Sequence, residues 1–523
     1  MALSVAEIKR FIQDDTASEK KRRAAIGQRY YEAKHDIMDC RLFYYNADGN
    51  LVEDTTRSNI KISHPFFTIL ADQLSAYMLS TKNNPIQAKD KADGLQDLLD
   101  ERFDDDFWAE IGELITGTYT KGFEYVYRYK DSDNKSVYQC ADSMGVVEVQ
   151  AKDADDGQDH VLYWYIDRID KGRKTVKRIQ DWTKTESWYY VQIGEGAIKL
   201  DETAQYNPRP HVVFTDPETG RKMGKPFGHI PFWRLDYNKK QISGLKPIKA
   251  LIDDYDLHAC SLSNNLVDFD TPLYVVRGYQ GYGDGEALDE LITNTKTKKT
   301  IGVDDDGGVD IQTVDIPYQA RKEKLEIDER NIYIFGMGFN PAQVGDGNIT
   351  NIVILSRYTL LDLKKSKMDK RLKKLLKQFI KIELDEINKE HGTDYQMSDI
   401  EIDLTPEIPT NEQENIANDL VKAQIRQTEV NTILNVAANV GDEQTLKAIC
   451  DVMEWDYEEL KDAVLSEEDD LYSAMSALEG VETEDDVVDD ETADDENGGI
   501  SEDEEATQNA VLGMLEDLLK EVD

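Results

Sequence analysis

Cysteine is scarce: Cys40, Cys140, Cys260 and Cys450 are the only four in 523 residues, and they stand far apart. That spacing excludes a disulfide framework and a CxxC metal site, so the thiols read as buried or inert. Long apolar runs are missing too. No stretch reaches the roughly 18 consecutive apolar residues of a membrane span. The start, MALSVAEIKRF, lacks the charged-then-apolar order of a signal peptide. The expected product is soluble and cytosolic, with no membrane partner. Positive charge is in deficit, with 61 Lys and Arg against 105 Asp and Glu for a formal net charge of −44. A basic nucleic-acid binder is excluded by that balance.

Catalytic signatures are also absent. The nearest approach to a phosphate-binding loop, GRKMGKP from Gly220, has the wrong spacing and puts Pro226 after the lysine. The GxG pairs at Gly281/Gly283 and Gly336/Gly338 do not follow a strand and open a helix, as a dinucleotide site requires. HExxH does not occur, and DDDGG at Asp304 lacks the alternating ligands of a calcium loop. His64 and His229 sit beside bulky apolar residues and read as structural. The chain is expected to be no enzyme, with no cofactor and no metal.

What is present is organised in blocks. Residues 467–523 hold 23 acidic residues and one basic, half of the whole charge imbalance. Such a segment cannot bury enough apolar surface to offset its ordering entropy and is read as disordered. Before it, helical periodicity covers 5–37, 64–80 and 93–118. At Gly122 the period changes to short Val-, Tyr- and Trp-rich runs such as FEYVYRY, HVLYWYID and SWYYVQI, which read as an antiparallel sheet over 123–236. Trp164, Trp182, Trp188 and Trp233 fall there and are expected in its core.

Two helices, over 244–269 and 318–335, bracket an α/β insertion built from LYVVRGY, a Gly-rich turn, a short helix over 286–293, and VDIQTVD. A Gly/Asn-rich break, GMGFNPAQVGDGN, then leads into the longest helix, over 352–389, a strand at EIDLTPEIP, and several short helices to Ser466. The fold class is α+β. The one concentrated basic element lies on the long helix: Lys364, Lys365, Lys367, Lys370, Arg371, Lys373, Lys374 and Lys377. Phosphate contact is the sharp reading of it. Because Leu361, Leu363, Met368, Leu372, Leu375, Leu376 and Phe379 alternate with them, the preferred reading is an amphipathic helix with a solvated or inter-subunit face.

The segments RYYEAKHDI (29–37), NIKISHPFFTILADQLSAYMLSTKNNPI (59–86), HVLYWYIDR, and GHIPFWRLDYN leading into GLKPIKALIDDYD, taken in this order, resemble the portal proteins of long-tailed bacteriophages, of the type found in siphophages of Gram-positive hosts. The resemblance spans about 29–453 and rests on ordered segments rather than one signature. It implies a phage portal fold: N-terminal helices and a β-rich wing over 1–243, a stem helix over 244–269, and a clip over 270–317. A second stem helix over 318–335, a tunnel loop over 336–351, and a long wing helix and strand over 352–410 follow. A helical crown over 411–466 precedes the acidic tail.

By the same resemblance the chain is a homo-oligomer, a twelve-subunit ring at one capsid vertex of the virion, assembled in the host cytoplasm. Double-stranded DNA is packaged and ejected through its channel without sequence specificity. The further partners implied are the terminase packaging motor, a head-tail adaptor, and the major capsid and scaffold proteins. DNA-facing tunnel-loop residues would be Gly338, Asn340, Gln343, Gly345, Asp346, Gly347 and Asn348. Clip contacts with motor or adaptor would be Arg277, Tyr279, Tyr282 and Asp284. Charge is compatible with this, because each phosphate neutralised by Lys or Arg adds affinity that would stall a moving duplex. Competing readings are an acidic capsid scaffold or adaptor without a channel, and a metal-dependent hydrolase or nuclease.

Overall fold

The computed structural model describes residues 2–46, 48–55, 57–89, 94–131, 133–151, 157–169, 174–215, 219–268, 273–277, 308–312, 318–340, 351–408, 412–453, 455 and 457. The helix expected over 5–37 is two helices, each started by a serine. Ser4 forms a capping box with Glu7 ahead of α1 (Val5–Thr16). Ser18 accepts from the Lys21 N–H ahead of α2 (Glu19–Tyr31). In the stretch that follows, β1 (Phe43–Tyr45) and β2 (Leu51–Glu53) pair as a hairpin. Its bend is held by Asn46 Oδ1, which accepts from the N–H groups of Asp48 and Asn50.

Helix α3 (Phe66–Leu79) is the centre of the body, with Phe67, Leu70, Leu74 and Met78 fully buried. Strand β3 (Ile86–Ala88) follows it. The single helix expected over 93–118 divides into α4 (Leu95–Arg102) and α5 (Asp105–Lys121), because Asp104 caps a new start by accepting from the Phe107 N–H. Gly122, at φ 93°, ends α5. A Cβ there would collide with the backbone of Gln241 and Ser243, so the turn into the sheet admits only glycine.

The β-rich region forms three sheets rather than one. Strands β4 (Phe123–Lys130) and β5 (Ser136–Ala141) belong to the first sheet, whereas β6 (Val146–Gln150), β7 (Gln158–Ile169), β8 (Thr175–Trp182), β9 (Glu186–Ile193) and β10 (Lys199–Leu200) make an antiparallel ladder of their own. Strand β11 (Arg209–Pro210) adds to β9, β12 (Val212–Thr215) pairs with β13 (Lys222–Lys225), and β14 (Phe232–Asp236) completes the first sheet beside β4. Trp182 is buried, and Trp164, Trp188 and Trp233 pack half-buried against the apolar clusters, as expected of core tryptophans.

Helix α6 (Lys249–Asp268) starts later than the periodicity suggested. Pro247 disfavours helical backbone at Lys246, so 244–248 are turns. From the insertion after α6, β15 (Leu273–Arg277) and β16 (Gly308–Gln312) are described and pair antiparallel. The helix expected over 286–293 lies outside the described residues. Helix α7 (Tyr318–Phe335) has the bounds its periodicity gave. Helix α8 (Asn351–His391) has 41 residues, a length of about 62 Å. Strand β17 (Ile400–Ile402) returns to pair with β3. One apolar core unites these helices, including Leu70, Ile111, Leu114, Ile252, Ile332, Leu372, Leu376 and Phe379.

A second compact unit begins at Asn415. Instead of several short helices, this region holds most of one 29-residue helix, α9 (Glu412–Val440), and then α10 (Asp442–Met453). Gly441 at φ 93° separates them. Leu446, Ile449 and Cys450 are the buried face of α10.

Candidate functional site at the helical pair and the loop root

The apolar stripe of α6 faces the core, and its other faces carry Asp253, Asp254, Asp256, Cys260, Asn264 and Asp268. The structure gives most of these polar groups one shared task. The segment 58–64 runs as an extended strap along α6, antiparallel to it. Its alternate backbone N–H groups donate to side chains one helical turn apart: Ser58 to Asp268 at 3.1 Å, Ile60 to Asn264 at 2.6 Å, Ile62 to Cys260 Sγ at 3.2 Å, and His64 to Asp256 at 3.0 Å. The registers match because two extended residues advance about 6.8 Å and four helical ones about 6 Å.

Asp256 closes this zipper as a buried node. Besides the His64 N–H, its carboxylate takes His35 Nδ1 at 2.6 Å and His64 Nδ1 at 2.7 Å. Burial opposes its charge, yet these hydrogen bonds outweigh it and hold the carboxyl below its ordinary range. His35 stacks on Tyr30 with centroids 4.5 Å apart, and the Tyr30 hydroxyl donates to Asp253. Asp254 points the other way and pairs with Lys324 of α7. Each aspartate of LIDDYD therefore ties α6 to a different element. His64 is structural, as its sequence context suggested; His229 stacks on Phe227 within the β-rich region.

The chain leaving α7 is pinned over its first five residues. Gly338 is buried against Leu70 and leaves no room for a Cβ. Phe339 forms a two-way bond with Gln73: its N–H donates to Oε1 at 3.1 Å and its carbonyl accepts from Nε2 at 2.7 Å. The Phe339 ring stacks on Tyr358, 5.7 Å between centroids, and Tyr358 stacks on Tyr77. Asn340 donates to Glu329 at 3.0 Å. Gly338 is thus a packed joint, and Asn340 belongs to the same root. Gln343, Gly345, Asp346, Gly347 and Asn348 lie outside the described residues. Of the expected clip contacts, Arg277 ends β15 opposite Gly308, while Tyr279, Tyr282 and Asp284 lie outside the described residues.

Lys364, one of the eight basic residues singled out on the long helix, is the buried bolt of this root. Its Nζ donates to the carbonyls of Leu70 and Gly336, each at 3.2 Å, and lies 3.9 Å from the Tyr119 ring centre. Burial pushes its amine down to about 7 from 10.5. The unfolded chain therefore binds more protons than the folded one between those values, and stability rises with pH across that window. Replacing Lys364 by Met is expected to flatten the rise by up to a few kcal/mol. Denaturation midpoints of wild type and variant from pH 6.5 to 10 check this.

Among the described residues, no three His, Cys, Asp or Glu side chains are placed to hold a metal. Cys260 and Cys450 are buried, Cys40 and Cys140 half-buried, and all four are free thiols. What the sequence reading missed was the strap. Its one signal was the spacing Asp256, Cys260, Asn264, Asp268, a polar stripe with period four.

Comparison with known proteins places this architecture. A portal protein of Bacillus phage SPP1 is 28% identical over 356 residues, covering 68% of each chain. A portal protein of Clostridium phage phiCD119 is 22% identical over 400 residues, covering 72% of this chain and 82% of that one. Among solved structures, a chain in the neck of an empty GTA particle computed with C6 symmetry covers 74% of this chain and 90% of its own, at 13% identity and a TM-score of 0.38. The family model for phage portal proteins, SPP1 Gp6-like, matches residues 10–468, which take in the helical pair, the strap and the loop root, and the chain belongs to that family.

Proposed function

We propose that this chain assembles, as twelve copies around one axis, into a ring whose channel passes double-stranded DNA during packaging and ejection. The observation that carries the reading is the pinned root after α7 on a chain that belongs to the portal family over 10–468. A channel loop needs a fixed base if a passing duplex is to move the loop and not the body. Gln73, Leu70 and Lys364 give it that base. The DNA-facing part is then 341–350, where Gln343, Asp346 and Asn348 are short or uncharged groups that touch a backbone without anchoring it.

The insertion over 270–317, with Arg277, Tyr279, Tyr282 and Asp284, is the docking end for the terminase motor and later the head-tail adaptor. The ring sits at the portal vertex among major capsid and scaffold proteins, after assembly in the host cytoplasm. Its role is structural, and a separate motor supplies the energy. The body's net charge of −22, repeated around a ring, disfavours tight phosphate binding and keeps the duplex mobile.

Negative-stain microscopy of the purified protein tests the assembly: rings with an axial hole are expected, and monomers under all conditions would sink the reading. A deletion confined to 341–347 is expected to leave rings intact while impairing DNA packaging or retention. Extending it back to Gly338 removes packed backbone and is expected to weaken the body as well.

A further inference from the structure

The basic run on α8 separates into two populations. Lys364 and Lys365 are buried, and Lys365 is paired with Asp369 at 2.7 Å. Arg371 and Lys373 are half-buried. Lys367, Lys370, Lys374 and Lys377 are exposed, and Lys381, one turn on, joins them. Their spacings of three, four, three and four place all five on one line of the helix surface, and 14 residues give that line a length of about 21 Å. Among the described residues none of the five is within ion-pair distance of a carboxylate. In a chain with 105 acidic residues, a row of five lysines with no carboxylate partner among the described residues is not an average surface.

The company these lysines keep identifies the ligand. The other exposed positions between Ser366 and Lys381 are Ser366 and Gln378. Between Ser366 and Lys381 the face therefore exposes no apolar or aromatic side chain, the nearest being Leu363 one turn before the row, whereas the cores of protein interfaces are rich in such anchors and poor in lysine. It has no exposed arginine either, and so lacks the planar fork that fixes a phosphate or a base edge bidentately. Five hydrated point charges on a rigid rod hold a polyanion without registering its sequence. The opposite face of the helix, with Met368, Leu372, Leu375, Leu376 and Phe379, is packed into the core, so the row cannot turn away.

We propose that the exposed lysine row of α8 is a sequence-blind contact for the phosphate backbone of double-stranded DNA. It rests on the reading of this chain as a DNA conduit and adds to it a site of weak, salt-sensitive attraction on an otherwise acidic body. Each contact between Lys and phosphate releases counterions. Five contacts give a slope of about −4.5 in log K against log salt, and a roughly 500-fold loss of affinity between 50 and 200 mM salt.

The test uses the full-length assembled protein and random-sequence 30-base-pair duplexes, followed by fluorescence anisotropy at 50 to 200 mM NaCl. The variant K367Q/K370Q/K374Q/K377Q/K381Q is expected to form rings like wild type while its salt slope falls by about 4. The matching five-fold Lys→Arg variant is expected to keep the slope. An unchanged slope in intact Gln-variant rings, or no salt-dependent binding by wild type, overturns the proposal. Loss of rings in the Gln variant also overturns it, because the row would then be an interface between copies. Failure of the conduit reading shows separately, as absence of axial-hole rings in the wild type.

Discussion

Replacing Asp256 by Ala is expected to lower stability by about 3–5 kcal/mol, the cost of removing one partner from a buried charged cluster. The carboxylate is fully buried and satisfies three donors at once: His35 Nδ1, His64 Nδ1 and the His64 N–H. Without it, two imidazoles and a backbone N–H face a cavity, and the strap over 58–64 loses its attachment at the N-terminal end of α6. Asp256→Asn, which keeps one acceptor oxygen, is expected to cost less. Asp254→Ala is the internal control. Its pair with Lys324 is about 40% exposed on both sides, so the loss is expected to be about 0–1 kcal/mol. Chemical denaturation followed by circular dichroism measures all three, and equal midpoints for the Asp256 and Asp254 variants would show that the node carries no special weight. The sign with pH follows from the lowered carboxyl of Asp256. Its contribution is fully present above the unfolded value near 3.8 and is lost as pH falls through the lower folded value.

Arg128→Met is expected to have an effect of similar size, about 3–5 kcal/mol, at the far side of the body. The Arg128 side chain is 1% exposed and joins the first sheet to α8, with Nε 3.0 Å from Glu383 and Nη2 2.6 Å from Glu386. Its guanidinium also lies over the Phe227 ring. Tyr138 donates to Glu383 at 2.8 Å and Lys130 reaches Glu386 at 2.6 Å, so the five-residue cluster fixes the helix against the sheet. Removing the arginine leaves the fully buried Glu383 with the Tyr138 hydroxyl and, at 4.0 Å, the Arg102 guanidinium. The double change Arg128→Met with Glu383→Met is expected to recover more than half the loss, because a buried pair replaced as a unit leaves no orphan charge. If the double variant is as unstable as the single one, the loss comes from packing of the arginine stem and not from charge.

Both joints lie where local sequence pattern carries no signal. Helix α7 took the bounds its pattern gave, and the β-rich character of 123–236 held. Both are local properties, written in residues two to four apart. Helix starts at Ser18 and Asp104 were equally local but were overridden by a long apolar period that ran through them. Asp256 and His35 are 221 positions apart, and Arg128 and Glu383 are 255 apart. No pattern in one chain announces such a pairing, because many acids and bases could satisfy it equally well.

The basic run on α8 shows the same division within fourteen residues. Its amphipathic periodicity was legible, and so was its charge. Which lysines were buried was not, since Lys364 stands beside Lys365 and both look like solvated side chains in sequence. The core decided it: Lys364 enters between Leu70, Tyr119 and Gly336 and finds two carbonyls there, while Lys367, Lys370, Lys374, Lys377 and Lys381 are left on the outer line. Gly338 is the converse case, placed by the resemblance on the tunnel loop and packed against Leu70.

By itself the sequence determined the α+β class, the order of helical pair, insertion, loop and long helix, and the likeness to portal proteins, because periodicity and segment order depend on near neighbours and on colinearity. The tertiary structure alone decided which polar groups became joints. A buried charge or a backbone N–H is satisfied by whatever the packed chain brings within about 3 Å, and that proximity is set by the whole fold.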